Sequence, residues 1–540
     1  MEADDLPQMV YIEAMHQVCI RFALDDLAIS RNDLTPTSSR WLGKQTNDNQ
    51  LERWCEPREL YLHFSLLVVA PLALTPYLAA YFSHALLAAL SAWVCYLASL
   101  VACTVLYRVS PVHPLAKYPG PLLCKITKLY FTIVAFGGKQ HKWYNELHRR
   151  VMVGIRNPQQ HAKVRRVWAR GFTPEALRGY HPILNKRIEQ LLNHLGARTG
   201  QAIDMSKWLT WFTYDVVNDM AFGDDLDTMQ NKDSQVLLET IEDAISFGII
   251  IFHLPWTAPF MKAIPVVAKR SKAFHNACYT RIKKRLEAGS ESGTQDLIYH
   301  LMGNRKQNST TLDIKQLVND SPLIVAAGSD TTSLTLSTLF YFLLHNPVVY
   351  SRLQAEIDDS KLAWNDPLGL THLEYLNAAI NEALRILPAV LSGSSRAPLI
   401  GSGGIALGSH FLPEGTTTNI HTYTLHRDPR NFFLPENFLP ERWLSEEKQL
   451  ALEPDLFKNR ELVIHNTDAF IPFSYGPADC IGKRFAWIEL RAVTVAILQR
   501  FTLRFDLGYD KVSWERDVCD YFITKRPPLS VVLTPRLASL

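Results

Sequence analysis

Cys480 stands in the stretch Phe473-Ser474-Tyr475-Gly476-Pro477-Ala478-Asp479-Cys480-Ile481-Gly482, with a glycine four residues before it and another two after. Such a loop can bring backbone close to a flat ligand, because glycine tolerates positive φ and has no side chain to collide with it. A helix is expected from near Gly482 to about Gln499, which sets its positive end beside the sulfur. Main-chain N–H groups in the loop can donate to a thiolate and tune its basicity. A cysteine among glycines can equally be structural and inert, so the rest of the chain has to discriminate. Any fold for this chain must therefore present a loop sulfur directly in front of a long helix.

The remaining cysteines do not compete for attention. Cys19, Cys55, Cys95, Cys103, Cys124, Cys278 and Cys519 form no C-x-x-C pair and no regular spacing, which argues against a disulfide framework or a structural zinc site. With 540 residues, 47% of them hydrophobic and 20% charged, the chain can bury a large core. A net charge of +3 gives no electrostatic footprint for nucleic acid.

Two apolar runs constrain the N-terminal third. Leu60 to Phe82 carries His63 as its only group titrating near neutrality, and Ser83 to Tyr107 carries only His84. About 20 apolar residues can cross a bilayer as a helix, and both runs are longer, although Pro71 and Pro76 interrupt the first. A cleavable signal peptide fits badly behind so long a mixed-polarity leader. Residues 60–107 are thus expected to be a membrane anchor of one or two transmembrane helices; the one-span version leaves a buried or interfacial helix beside the anchor. Arg108, Lys117 and Lys125 follow, which places the bulk of the chain on the cytoplasmic side by the positive-inside rule. Residues 1–59 read as a weakly ordered extension. Residues 108–124, with Pro114, Pro119 and Pro121, read as a stiff hinge. Residues 125–540 show no interdomain linker and are taken as one domain, helical from 140 to 390 and β-rich with turns from about 396 to 440.

Inside that domain, Ala327-Gly328-Ser329-Asp330-Thr331-Thr332 interrupts the apolar segment Leu323 to Leu344. A helix apolar on most sides is buried, and acid, hydroxyl and glycine at its centre are hard to explain by packing. Glu382 and Arg385 lie at i and i+3 on one helix face and can pair. Further on come His426-Arg427-Asp428-Pro429 and Pro440-Glu441-Arg442-Trp443. Each alone has a bland reading: a polar kink, a surface ion pair, a turn.

Taken together and in this order, these segments closely resemble the signatures of the cytochrome P450 family. The Cys480 stretch resembles the haem-binding pattern Phe-x-x-Gly-x-x-x-Cys-x-Gly. The resemblance implies a mainly α fold with small β-sheets behind an N-terminal membrane anchor. It implies heme b, iron protoporphyrin IX, with Cys480 as the iron ligand and Phe473, Gly476 and Gly482 shaping its loop; electron donation from the thiolate favours O–O cleavage. Asp330 and Thr331 would relay protons and hydrogen-bond the bound oxygen, with Gly328 allowing a local opening of the helix. Glu382, Arg385 and Arg442 match the family's buried charged triad. His161, Arg165 and Arg396 match its propionate-binding positions. The implied activity is insertion of one oxygen atom from O2 into a hydrophobic small molecule. Electrons derived from NADPH would come from a separate NADPH–cytochrome P450 reductase docking near Lys483 and Arg484. The implied location is the endoplasmic reticulum membrane. The hinge and Phe222-Gly223 look most like fungal microsomal members, whose products belong to secondary metabolism.

Two departures qualify the resemblance. Ala478 stands where family members usually carry an arginine or histidine that holds a propionate. The span from Pro121 to His161 is also far shorter than the family uses, so part of the first sheet and the loop capping the substrate side are absent or curtailed. Asn145 to Met152 is read as bridging the gap directly. The alternative reading is therefore a catalytically impaired or non-catalytic haem-binding relative. An oxygen-independent rearrangement fits less well beside the intact Asp330/Thr331 pair. Substrate contacts are expected near Val325 and Ala326, at Ala389 to Ser394 and around Tyr521 to Ile523, with Ser246 to Pro265 as a membrane-dipping entry region.

Overall fold

The computed structural model describes residues 68–110, 165–223 and 314–536, each but for a few positions, together with scattered positions at 123–162 and 226–302. Residues 1–59, the hinge prolines, Asn145 to Met152, His161 and almost all of Ser246 to Pro265 lie outside the described residues.

Of the two apolar runs, the second forms helix α1, Ala85–Val109. It is long and apolar enough to cross a membrane and exposes Leu86, Leu90, Val94, Val101 and Leu106 along its length. The first run breaks, around Pro71 and Pro76, into Ala70–Ala73 and Thr75–Ala79. These short helices pack on α1, where Ala88 and Ala92 are fully buried. Among the described residues, α1 alone has the dimensions of a span.

The body is built from α2 (Pro174–Gly196), α3 (Met205–Phe222), α4 (Ile314–His345), α5 (Pro347–Ser360), α6 (Glu374–Ile386) and α7 (Lys483–Arg500). Capping chemistry sets their starts: Thr173 Oγ1 accepts the Ala176 N–H at 3.3 Å ahead of α2, which opens on Pro174. From Val325 onward α4 is buried nearly all round, with Leu334, Leu336, Leu339, Phe340 and Leu343 at zero exposure. It packs against α3, α6 and α7. The α3 contact is close because Gly328 has no side chain: a Cβ there would lie 2.8 Å from Val217 Cγ2. The helix continues without a break through 328–332, so Gly328 permits close packing, whereas the sequence suggested a local opening.

The sheets are small, as expected of this composition of elements. Strand β1 (Ala202–Asp204) pairs antiparallel with β9 (Ser530–Pro535), which pairs with β6 (Phe501–Phe505), leaving β9 central. The other pairs are β2 (Ser395–Arg396) with β5 (Thr418–Asn419), β3 (Gly404–Leu407) with β4 (His410–Pro413), and β7 (Cys519–Tyr521) with β8 (Ile523–Lys525). One continuous core joins α2 to α7 with the β6 and β9 strands, sealed by the fully buried Trp514. α7 starts one residue after Gly482 and ends at Arg500, close to the range its pattern suggests.

Candidate functional site

The Cys480 loop is held by its own main chain. The Cys480 N–H donates to Phe473 O at 2.8 Å, Asp479 N–H to Gly476 O at 3.0 Å, and Ser474 N–H to Ile471 O at 3.0 Å. Two left-handed residues make the fold possible, Ser474 at φ 63° and Gly476 at φ 80°. Nothing lies within 4 Å of where a Gly476 Cβ would be, so the loop fronts open space. Cys480 lies at the start of the 18-residue α7, where the Lys483 N–H donates to the Cys480 carbonyl oxygen at 3.4 Å and the main chain of Gly482 and Lys483 favours the thiolate. Cys480 reaches solvent yet sits amid enough protein for burial to push its thiol up; that main chain and Arg165 oppose this, and Asp479 adds to it.

Both cationic side chains that the structure describes among the expected propionate contacts are tied to this loop. Arg396 donates to Ser474 Oγ at 3.1 Å. Arg165 grips Asp479 twice, at the carbonyl oxygen (2.6 Å) and at the carboxylate.

Behind the loop, Glu382, Arg385 and Arg442 come together with essentially no solvent exposure. Arg385 pairs with Glu382 at 2.8 Å and Arg442 with Glu382 at 3.0 Å. Trp443 Nε1 and the Leu439 N–H also donate to the Glu382 carboxylate, at 2.8 and 2.9 Å. Burial alone would raise this carboxyl, but Arg385 and Arg442 hold it down to about 2. Arg385 further donates to the carbonyls of His426, Pro435 and Asn437, so the cluster fastens the chain from 426 to 443 onto α6. His426 extends the link to the loop: its Nε2 accepts the Ile471 N–H at 2.9 Å, and its Nδ1 lies 3.1 Å from Arg385 O. That leaves the ring neutral with Nδ1 as the donor, and burial lowers it to about 3.

On α4, Thr331 Oγ1 donates to Ala327 O at 2.7 Å. Asp330 is buried and paired with Arg526 at 3.4 Å; Arg526 Nε also donates to Thr210 Oγ1 at 2.7 Å. One position beyond Thr331, the Thr332 hydroxyl hydrogen-bonds Glu489 of α7, whose carboxyl burial raises to about 8. Of the segments expected to line a substrate site, Ser392 and Asp520 are buried and bonded to each other at 2.8 Å, and Thr524 donates to Ala389 O at 2.9 Å.

A solvent-reaching thiol at a helix start is a donor suited to a soft or haem-bound metal. The family model described as Cytochrome P450 matches residues 133–532. The chain belongs to the cytochrome P450 family. It is similar to "Cytochrome P450 67" of Uromyces fabae, 33% identical over 394 residues, with 71% of this chain and 70% of that protein covered. "Cytochrome P450 monooxygenase nodW" of Hypoxylon pulicicidum is 29% identical over 493 residues, covering 83% and 88%. "Trichothecene C-15 hydroxylase" of Fusarium sporotrichioides is 27% identical over 478 residues, covering 78% and 94%. The crystal structure of the cytochrome P450DA heme domain shares the fold, with a TM-score of 0.56 at 20% identity over 69% of this chain and 77% of that one. The chain is thus a P450 monooxygenase, a haem–thiolate enzyme, and P450s of this kind work with a redox partner on hydrophobic substrates.

The residues around Cys480 fit a haem. A Cβ on Gly482 would meet only ordinary contacts, Cys480 Sγ and Phe172 at 3.9 Å. The protein's own packing therefore does not demand glycine there, which is compatible with a flat ligand beside the sulfur. Several residues of this P450 site had no role assigned from the sequence, although His426, Trp443 and Asp479 lie within its motifs. Arg526, Thr210, His426, Trp443, Asp479 and Glu489 act through partners mostly far away in the chain.

Proposed function

We propose that this P450 is a membrane-anchored enzyme that hydroxylates an apolar small molecule, taking NADPH-derived electrons from NADPH–cytochrome P450 reductase. Cys480 is the iron ligand of a heme b, and the observation that carries the reading is its place at the start of α7, in a loop tied by its own main chain. When bound, the haem supplies reductive activation of O2. The chain's residues supply the rest. Phe473, Gly476 and Gly482 shape the loop, and Glu382, Arg385 and Arg442 lock the chain behind it. His161, Arg165 and Arg396 are the candidate contacts to the propionates, and Lys483 and Arg484 the candidate docking cations. Thr331 holds a proton at Oγ1, and Asp330 replenishes it after parting from Arg526.

Residues 60–107 anchor the chain, 108–124 form the hinge and 125–540 the catalytic domain, on the cytoplasmic face of the endoplasmic reticulum. The length and apolar surface of α1 support the anchor. The relatives named as fungal monooxygenases and hydroxylases support an apolar secondary metabolite as substrate.

A second reading, a haem protein with impaired turnover, has its own support. An alignment of 493 positions to a relative takes in only 83% of these 540 residues, so it contains several tens of positions that this chain lacks. The 394-position alignment takes in 71% and leaves few. The shortfall in the longer alignment is in keeping with the short span from Pro121 to His161. The test is spectral and catalytic together. Purified protein should give the red-shifted ferrous–CO band of thiolate ligation, Cys480→Ser should abolish it, and addition of reductase and apolar substrates should drive NADPH-dependent product formation. The band without turnover selects the impaired reading; an unchanged band in Cys480→Ser overturns both.

A further inference from the structure

The chain leaving α6 runs along the site, because Arg396 reaches Ser474 of the Cys480 loop at 3.1 Å. The stretch just before it, Ala389 to Ser392, is fastened by hydrogen bonds from distant parts of the chain. Thr524 Oγ1 donates to Ala389 O at 2.9 Å, and Ser392 Oγ donates to the Asp520 carboxylate at 2.8 Å. Asn419 Nδ2 donates to Ser392 O at 2.7 Å, and the Tyr423 N–H to Leu391 O at 3.0 Å. Asp520 and Thr524 are cross-strand partners in the β7–β8 hairpin, so their side chains share one of its faces and grip both ends of the stretch. Ala389, Leu391, Ser392, Asp520 and Thr524 are buried, whereas Val390 and Tyr521 keep partial exposure. β8 in turn packs on α4, and just past it Arg526 pairs with Asp330 at 3.4 Å. The hairpin thus ties 389–392 to the helix that carries Thr331. At Gly393 the chain turns with φ 72°, so close to residue 420 that a Cβ would collide with the Ile420 carbonyl oxygen.

We propose that Asp520, acting through Ser392, is a positioning residue that holds 389–392 as a preformed wall of the ligand site. This deepens the assignment of Cys480 as the iron ligand and rests on it. Asp520 has no solvent exposure, so it acts through its partner and does not itself touch the ligand. Removing either member of a buried hydrogen bond leaves the other unsatisfied, and the wall loosens. A ligand that presses on a loose wall must order it on binding, which weakens the complex. A ligand too short to reach the wall is indifferent to it. The pair therefore makes the site's affinity depend on how far a ligand reaches, with Val390 and Tyr521 as the side chains that the clamp presents.

Imidazole and 4-phenylimidazole, which bind haem iron through nitrogen, serve as the short and the long probe. Each is titrated into purified, haem-loaded, full-length protein and followed by the shift of the Soret band. Ser392→Ala and Asp520→Ala should each weaken 4-phenylimidazole about fivefold or more and leave imidazole within about twofold of the parent. Ser392→Ala/Asp520→Ala should bind no more weakly than the worse single variant, because the two residues act as one unit. A merely structural role lowers the unfolding midpoint and moves both probes together or neither. The ferrous–CO band is recorded first on every sample. If it does not report thiolate ligation in the parent, the assignment of Cys480 has failed and the clamp with it. If it does, and the ratio of the two dissociation constants is the same in parent and single variants, the clamp proposal is wrong. It is equally wrong if the losses in the two single variants simply add in the double one. Should Asp520→Ala not fold, Ser392→Ala decides the point: selective loss of 4-phenylimidazole upholds the proposal, and an unchanged ratio refutes it.

Discussion

A carboxylate with no solvent exposure stays ionised only where cations and donors replace its lost hydration, and Glu382 shows the arithmetic of that exchange. It accepts from Arg385, Arg442, Trp443 and the Leu439 main chain. Removing its charge leaves two guanidinium groups deprived of their shared counter-ion. Glu382→Gln should therefore cost about 3–5 kcal/mol, read as a lower urea midpoint and weaker haem retention. The same residues set an acid limit. Glu382, held near 2 when folded against an ordinary 4.5, contributes stability above 4.5 that disappears as pH falls toward 2. His426, kept neutral down to about 3 against 6.5 when unfolded, contributes fully above 6.5 and less as pH falls below it. Taken alone this loss lowers the unfolding midpoint as pH falls below 6.5, and a His426→Gln variant should lack it. Glu489 runs the other way. Its folded value near 8 exceeds 4.5, so the native state keeps a proton that the unfolded chain releases, and stability falls as pH rises from 4.5 through 8. Glu489→Gln, mimicking the protonated acid, should flatten this slope in thermal scans. The paired Glu382 and Arg385 could be read from the sequence because three residues of helix separate them. Glu489 could not, since nothing local distinguishes a buried acid on α7 from a solvated one.

At the scale of elements, the α3–α4 contact adds a cause that the sequence did not show. The apolar length of α4 was plain in the sequence, and so was the oddity of glycine, acid and hydroxyl at its centre. The reason for Gly328 lies in α3, where Val217 presses against it. Gly328→Ala should cost about 1–3 kcal/mol through overpacking, and Val217→Ala in the same chain should recover most of it, measured as a double-mutant cycle of unfolding free energies. Asp330 is a similar case. Its pairing with Arg526 brings α4 against the end of β8, 196 positions on, with Thr210 of α3 as the third member. No spacing rule reaches that far. Sheet partners were equally opaque: the place of β9 between β1 and β6 depends on how distant helices bring those segments together.

For the whole molecule, anchor and body divide the chain physically as well as in sequence. The α1 surface is apolar and outward-facing, while the core that joins α2 to α7 draws no residue from it. Apolar length alone made the anchor legible, but the fate of its first half depended on two prolines, which leave short helices packed on α1 in place of a second long one. If α1 serves attachment alone, the body's stability should be independent of it, because burial that α1 does not share cannot be lost with it. A chain beginning at residue 111 should leave the membrane pellet after alkaline carbonate washing, where the full chain stays. It should nevertheless unfold at the same urea midpoint and keep the same ferrous–CO band. The contact to watch is Arg108, which donates to Ile126 O and is the one buried charge on α1. A midpoint lowered by truncation and restored by starting the chain at Tyr107 would assign Arg108 to the body and move the boundary of the anchor upstream of it.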